Sequence, residues 1–224
     1  MDKKIRLRFS KTDGLRYIGH LDFLRVFQQM IRRSGLPIAY SQGFNPHQIL
    51  SFALPLPLGM ESIHDYADIT LTTDVPAGEI VTALNTAAPP GLRILAAYPV
   101  QGANAAAATV AADYTVALPS CHCDHTSRHC GPDPQSSITN ILQSETLIIP
   151  KKTKSGVKNT DIRPDIFSID MTENALHMRL AAGSARFLNP LLVAEQILHQ
   201  AICNSSISRA ELYQSDGAGA FKPL

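Results

Sequence analysis

Tryptophan is missing altogether, and cysteine occurs only four times. Cys121, Cys123 and Cys130 fall within ten residues, and Cys203 stands alone. That is too few and too bunched for the disulfide framework of a small secreted domain. No apolar run reaches the roughly eighteen residues a membrane helix needs, so no membrane partner is expected. The opening "MDKKIRLRFS" lacks the apolar stretch and small-residue cleavage site of a signal peptide, and a cytoplasmic protein is expected. Phosphate-cradling loops of the Gly-x4-Gly-Lys-[Ser/Thr] and Gly-x-Gly-x-x-Gly types are absent, as are Gly-x-Ser-x-Gly and His-Glu-x-x-His. These absences exclude the commonest self-contained enzyme sites, and no cofactor is expected.

Acidic residues are also scarce where it matters. Residues 1–50 carry nine cations (Lys3, Lys4, Arg6, Arg8, Lys11, Arg16, Arg25, Arg32 and Arg33) against Asp2, Asp13 and Asp22. From 51 to 150 only Arg93 and Arg128 are cationic, and a second basic segment, "KKTKSGVK", follows. With a net charge of +1, this unevenness indicates a local anionic partner rather than general stickiness.

What is present reads as alternating strands and amphipathic helices. In "KIRLRF", Ile5, Leu7 and Phe9 face a core while Lys4, Arg6 and Arg8 face away. A helix is predicted from about Leu21 to Ser34, its apolar stripe passing through Leu21, Leu24, Phe27 or Gln28, and Ile31, with Gly35 as its stop. "PIAYS" reads as a second strand, "ILSFALPLPL" with "HDYADITLT" as a third, "PAGEIVTALNTAAP" as a helix and "GLRILAAYPV" as a fourth strand. The order β-α-β-β-α-β predicts a ferredoxin-like antiparallel sandwich over 1–100. "QGANAAAATVAAD" suits a linker. Beyond it "YTVAL", "ETLIIP", "DIRPDIFSID" and "ALHMRLAAG" read as strands and "NPLLVAEQILHQAI" as a helix. The fold class is therefore α+β, with two ferredoxin-like sandwiches, the second (113–224) irregular and carrying a basic hairpin.

Several constellations carry chemistry. Arg6, Arg8, Arg25, Arg32 and Arg33 are candidate phosphate contacts, as are Lys151, Lys152, Lys154, Lys158 and Arg163 around the Ser-Gly turn. His20 and His47 are the acid–base candidates, because imidazole is the side chain whose unperturbed pKa falls in the physiological range. His20 opens the helix, where capping or packing explains it as well as chemistry does. In "SQGFNPH", Gly43 permits a tight turn, and Phe44 is either a stacking platform for an unpaired base or a plug under the sheet. "CHCDHTSRHC" offers thiolates and imidazoles, but Cys121-x-Cys123-x6-Cys130 lacks the zinc-knuckle spacing. A loop is the preferred reading there, and a zinc site on those cysteines the weaker one.

The stretch from Arg6 to Ser62 closely resembles the radical-SAM-linked family of uncharacterised bacterial domains. The resemblance is carried by Tyr17 to Asp22, Arg32-Arg33, Leu36 to Ser41, Gly43 to His47 and Ser51 to Pro57. Asp65 to Asp68 and Asp161 to Pro164 extend it. It implies a radical-SAM protein as partner, this chain being the separate companion, since the cluster-binding cysteine motif is missing. The leading expectation is a non-catalytic module that binds or presents RNA (tRNA or rRNA), with His20, Phe44, Asn45 and His47 lining its pocket. The alternatives are a metal-independent endoribonuclease of the CRISPR repeat-processing type, using His20, His47 and Arg33, and an adaptor docking through "ILSFALPLPLG".

Overall fold

The alternation at the start of the chain builds the first strand, β1 (Lys3–Lys11), whose Ile5, Leu7 and Phe9 are buried. The structure, a computed structural model, describes residues 2–118, 134–153, 156–199, 202, 206–217 and 220–224. A short 3-10 turn leads into α1 (His20–Ser34), which begins after an extended Gly19. It ends at Gly35, whose φ of 71° is left-handed and favours glycine. Its buried stripe is Phe23, Phe27, Met30 and Ile31, not the one predicted through Leu21 and Leu24, and Leu21 is 68% exposed. The observed rotation keeps Gln28 out of the core and lets Phe23 and Phe27 meet Phe9 and Phe52, with Phe27 edge-on to both at 5.3 and 5.2 Å. Each such ring contributes roughly 1.5–3 kcal/mol by burial.

β2 (Leu50–Phe52) is shorter and later than "PIAYS", of which Ile38 and Tyr40 form only isolated bridges. Then come β3 (Glu61–Leu71), α2 (Ala77–Ala87) and β4 (Leu92–Pro99). The presumed linker contains a helical turn, α3 (Ala105–Ala108), and the start of β5 (Thr109–Ala117). The second half continues with α4 (Pro134–Gln143), a separate hairpin of β6 (Ile148–Thr153) and β7 (Gly156–Asp161), β8 (Ile166–Met171) and β9 (Ala175–Ala181). It closes with α5 (Pro190–Leu198), β10 (Ile207–Ser215) and β11 (Phe221–Pro223). Asn189 caps α5 by accepting from the Leu191 N–H at 3.1 Å.

Among the described residues, nine strands form one mostly antiparallel sheet ordered β4-β1-β3-β10-β5-β9-β8, with β2 beside β3 and β11 beside β10. The chain is thus a mixed α+β protein. Leaving out the β6–β7 hairpin and β11, in each half the last strand lies beside the first, the first beside the third and the third beside the second. The halves join where β10 runs parallel to β3, Ser208 opposite Glu61 and Arg209 opposite Ser62. β2 takes the rest of that β3 edge, Leu50 opposite Ile69 and Phe52 opposite Ala67. Two buried clusters sit under the helices, one around Phe9, Phe27 and Ile69, the other around Tyr114, Leu180 and Val193. Among the described residues, no helix is long and apolar enough to cross a membrane.

Candidate functional site

β1 sends Ile5, Leu7 and Phe9 into the first core, and the next residue in that phase is Lys11, only 2% exposed. β3 does the same with Asp65, in phase with Ala67 and Ile69 and 4% exposed. From the second half, β10 supplies Arg209, fully buried, whose Nη2 donates to Asp65 Oδ2 at 2.5 Å and to the Leu54 carbonyl at 3.0 Å. Its Nη1 reaches the Pro55 carbonyl at 3.4 Å, so one guanidinium ties the "ALPLPL" segment to β3. The other Asp65 oxygen accepts the Tyr66 N–H at 2.9 Å. Lys11 Nζ donates to the Ile18 carbonyl at 3.3 Å and lies 4.7 Å from the Phe23 ring centroid. Burial lowers the Lys11 pKa below its ordinary 10.5; Asp65 pulls it back up and Arg209 pushes it further down.

His20, at the first turn of α1, packs its ring edge-on to Phe52 at 5.6 Å. His20 and Phe52 join Lys11, Phe23, Leu54, Leu56 and Asp65 around a hollow of about 10 Å³. Its rim, formed by His20, Phe52, Leu54 and Leu56, is half-buried, so it opens to solvent.

The Gly-Phe-Asn-Pro-His segment is a separate feature. Its neck is closed by Ser41 N–H to the His47 carbonyl at 2.8 Å and His47 N–H to Ser41 Oγ at 3.1 Å, with Ser41 Oγ and His47 Nδ1 2.9 Å apart. Gly43 adopts φ 125°, which an L side chain would strain. Phe44 stands at the tip, fully exposed, beside exposed Asn45. Four residues lie between His47 and Phe52, five steps that span at most roughly 18 Å of extended chain.

The predicted cations divide sharply. Arg32 is exposed on α1; Arg33 is exposed and donates to the Ala87 carbonyl at 2.7 Å; Arg25 pairs with Asp22 at 2.9 Å in the open. Arg8 pairs with Glu211 at 3.1 Å, and Tyr66 Oη donates to the same carboxylate at 2.6 Å. Arg6 does not face solvent: it is 3% exposed, with Nε and Nη2 on the Asp68 carboxylate at 2.8 and 3.1 Å. Arg163 is spent on the Ser144, Leu142 and Ile166 carbonyls. The Arg6 acceptor is buried, whereas of the Arg163 acceptors only the Ile166 carbonyl is part-buried and those of Ser144 and Leu142 lie in the open. Lys151 sits opposite Lys158 in the β6–β7 hairpin; the side chains of Lys151, Lys152 and Lys158 lie outside the described residues, as do Lys154 and Cys121, Cys123 and Cys130. His20 and Arg33 stand at opposite ends of α1, about 20 Å apart by helical rise; the structure does not bring them together.

Lys11, Asp65 and Arg209 were missed by sequence reasoning. The available signal was phase: a lysine and an aspartate occupying inward positions of otherwise apolar strands.

These features define a mixed α+β chain whose site lies on the seam between two halves. A family profile described as "Uncharacterized protein conserved in bacteria (DUF2344)" matches residues 4–190, and the chain belongs to that family. No curated protein matches it. Among solved structures, that of an unknown protein from Galdieria sulphuraria is similar over 89% of this chain and 89% of its own, at 11% identity and a TM-score of 0.29.

Proposed function

We propose that this chain is a non-catalytic cytoplasmic module that binds a single-stranded segment of tRNA or rRNA and presents it to a radical-SAM partner enzyme. The observation that carries this reading is Phe44: a bare phenyl ring at the tip of a loop clamped shut at its neck. A preorganised, exposed aromatic is what an unstacked base needs, because every base offers a π-face. Arg25, Arg32 and Arg33 supply positive charge along α1, and the hairpin lysines add to it in sequence. The partner is inferred from the resemblance of the motifs between Tyr17 and Pro57. We read each half as a ferredoxin-like sandwich, on the strength of the strand order that recurs in both.

The test is binding of labelled tRNA and rRNA fragments over a salt series. Phe44→Ala is expected to weaken binding about tenfold or more at every salt concentration. The Arg32→Ala/Arg33→Ala double variant is expected to reduce the slope of log K against log salt by roughly two. Unchanged affinity and slope in both variants would sink the proposal, and so would RNA cleavage that disappears in His20→Ala.

A second reading, docking of the radical-SAM enzyme through apolar side chains, is supported by Ile49 and Leu58, which are 38% and 56% exposed along that segment. Under it, Leu58→Glu abolishes association with the enzyme while RNA binding is untouched.

A further inference from the structure

We infer that the hollow beside His20 reads a ribose 2′-hydroxyl, with Lys11 Nζ donating to the hydroxyl oxygen and the Asp65 carboxylate accepting its hydrogen. This rests on the RNA-binding reading above and adds what makes that binding specific for RNA over DNA.

The chemistry of the lining selects the ligand group. Lys11 and Asp65, both more than nine-tenths buried, line the same hollow. Among the described residues, no direct ion pair joins them; the carboxylate is paired with Arg209 instead. An ammonium is a donor with three protons, and Lys11 uses one on the Ile18 carbonyl. An ionised carboxylate only accepts and has about four lone-pair sites, of which Asp65 has filled one from Tyr66 and one from Arg209. A group that meets both a pure donor and a pure acceptor must do both, which a water or a hydroxyl does and a phosphate oxygen, a carboxylate or an ammonium does not.

Size agrees with this. About 10 Å³ is room for one water-sized group and no more. A phosphate would overfill it and would meet the Asp65 charge. Of the rest of the lining, Phe23, Phe52, Leu54 and Leu56 offer no side-chain hydrogen bonds, and His20 adds one polar ring at the half-buried rim. His20 and Phe52, packed edge-on with ring centroids 5.6 Å apart, form part of the half-buried rim against which a sugar can rest while its hydroxyl points inward. The 2′-hydroxyl is both donor and acceptor, and it distinguishes RNA from DNA at any given position.

The experiment is fluorescence anisotropy with a short single-stranded RNA, its all-deoxy counterpart and its 2′-O-methyl counterpart, on the full chain. Wild-type protein is expected to bind the RNA about tenfold more tightly than the DNA, the scale of one charge-assisted hydrogen bond. The 2′-O-methyl strand, which lacks the proton and overfills the hollow, is expected to bind no better than DNA. Lys11→Met should lower RNA affinity to the level of DNA, so that the preference between the two strands disappears. Leu56→Trp, which fills the mouth without touching the buried charges, should do the same and serves if Lys11→Met fails to fold by circular dichroism. Phe44→Ala should weaken RNA and DNA alike and keep their ratio. Equal RNA and DNA affinity in the wild type overturns the subsite while leaving single-strand binding in place. A preference that survives in Leu56→Trp also overturns it. Failure to bind any of the strands removes both this inference and the function beneath it.

Discussion

The two faces of the sheet at the β3–β10 seam hold charge in opposite ways. In a regular strand Arg209 and Glu211 would point to the same side. The register shifts between them, and the bulge sends Arg209 under the helices and Glu211 to the open face. Beneath the helices, Arg209 and Asp65 pair with side-chain exposures of 0% and 6%. On the open face Glu211 is shared by Arg8, His64 and the Tyr66 hydroxyl, with Arg8 and His64 about one-third exposed. The helix-side pair has given up water and depends entirely on its partners; the open-face group keeps water as an alternative partner. At the seam itself the drier pair lies on the helix side, while Arg6 and Asp68, whose side chains are each 4% exposed, form an equally dry pair on the other face away from β10.

Removing one acid from each face tests that asymmetry. Asp65→Ala leaves a guanidinium buried without its counter-charge, and a loss of about 3–5 kcal/mol in urea unfolding is expected. Glu211→Ala strands Arg8 and His64, which water can reach, together with the buried Tyr66 hydroxyl, and about 1–3 kcal/mol is expected. Similar costs for the two variants would show that the faces do not differ in solvation. A further sharpening comes from Asp65→Ala combined with Arg209→Met: the double variant should recover part of the single loss, because the orphaned charge is gone.

How far this was legible in the sequence follows from where periodicity survives. The inward phase of β1, the stop of α1 at Gly35 and the start of α2 after Pro76 are local signals, and they agree with the structure. The α1 stripe was rotated because Leu21 and Leu24 are as apolar as Phe23 and Phe27; only the rings of Phe9 and Phe52, distant in sequence, select the aromatic side. β10 was not seen at all. Its buried residues Ile207, Arg209 and Leu212 change phase at the bulge, so "ISRAELYQS" shows no clean alternation. The candidate site suffered doubly. His20 was visible as a motif, but Lys11 was counted only as one of nine cations and Asp65 only within the resemblance, and their third member lies 144 positions beyond Asp65. Arg6 read as an outward phosphate contact because alternation reports side, not cover. The turn at Ala103 and Ala105 and the Asp68 carboxylate close over it locally.

The smallest expected effect concerns the proton on Lys11. Burial holds its pKa below 10.5 in the folded chain, while in the unfolded chain it titrates near the ordinary value. Between those two values the unfolded state binds a proton that the folded state does not, so stability rises with pH across that interval. Below it both states are protonated, and the folded protein carries the full cost of a buried ammonium. Four tyrosines, Tyr66, Tyr98, Tyr114 and Tyr213, are raised by burial and act in the opposite sense above about pH 10. Tyr66 is raised by burial and by its hydrogen bond to Glu211, and Tyr213 is pushed up to about 12 by burial and its bond to Asp113. Unfolding releases protons from all four, and stability falls. Melting temperatures of the wild type and Lys11→Met, taken from neutral pH to about 10, separate the two contributions. The tyrosine decline is common to both proteins. The wild type alone should gain on the variant as the pH rises, and parallel curves would mean that the helix-side face is wetter at Lys11 than its burial implies.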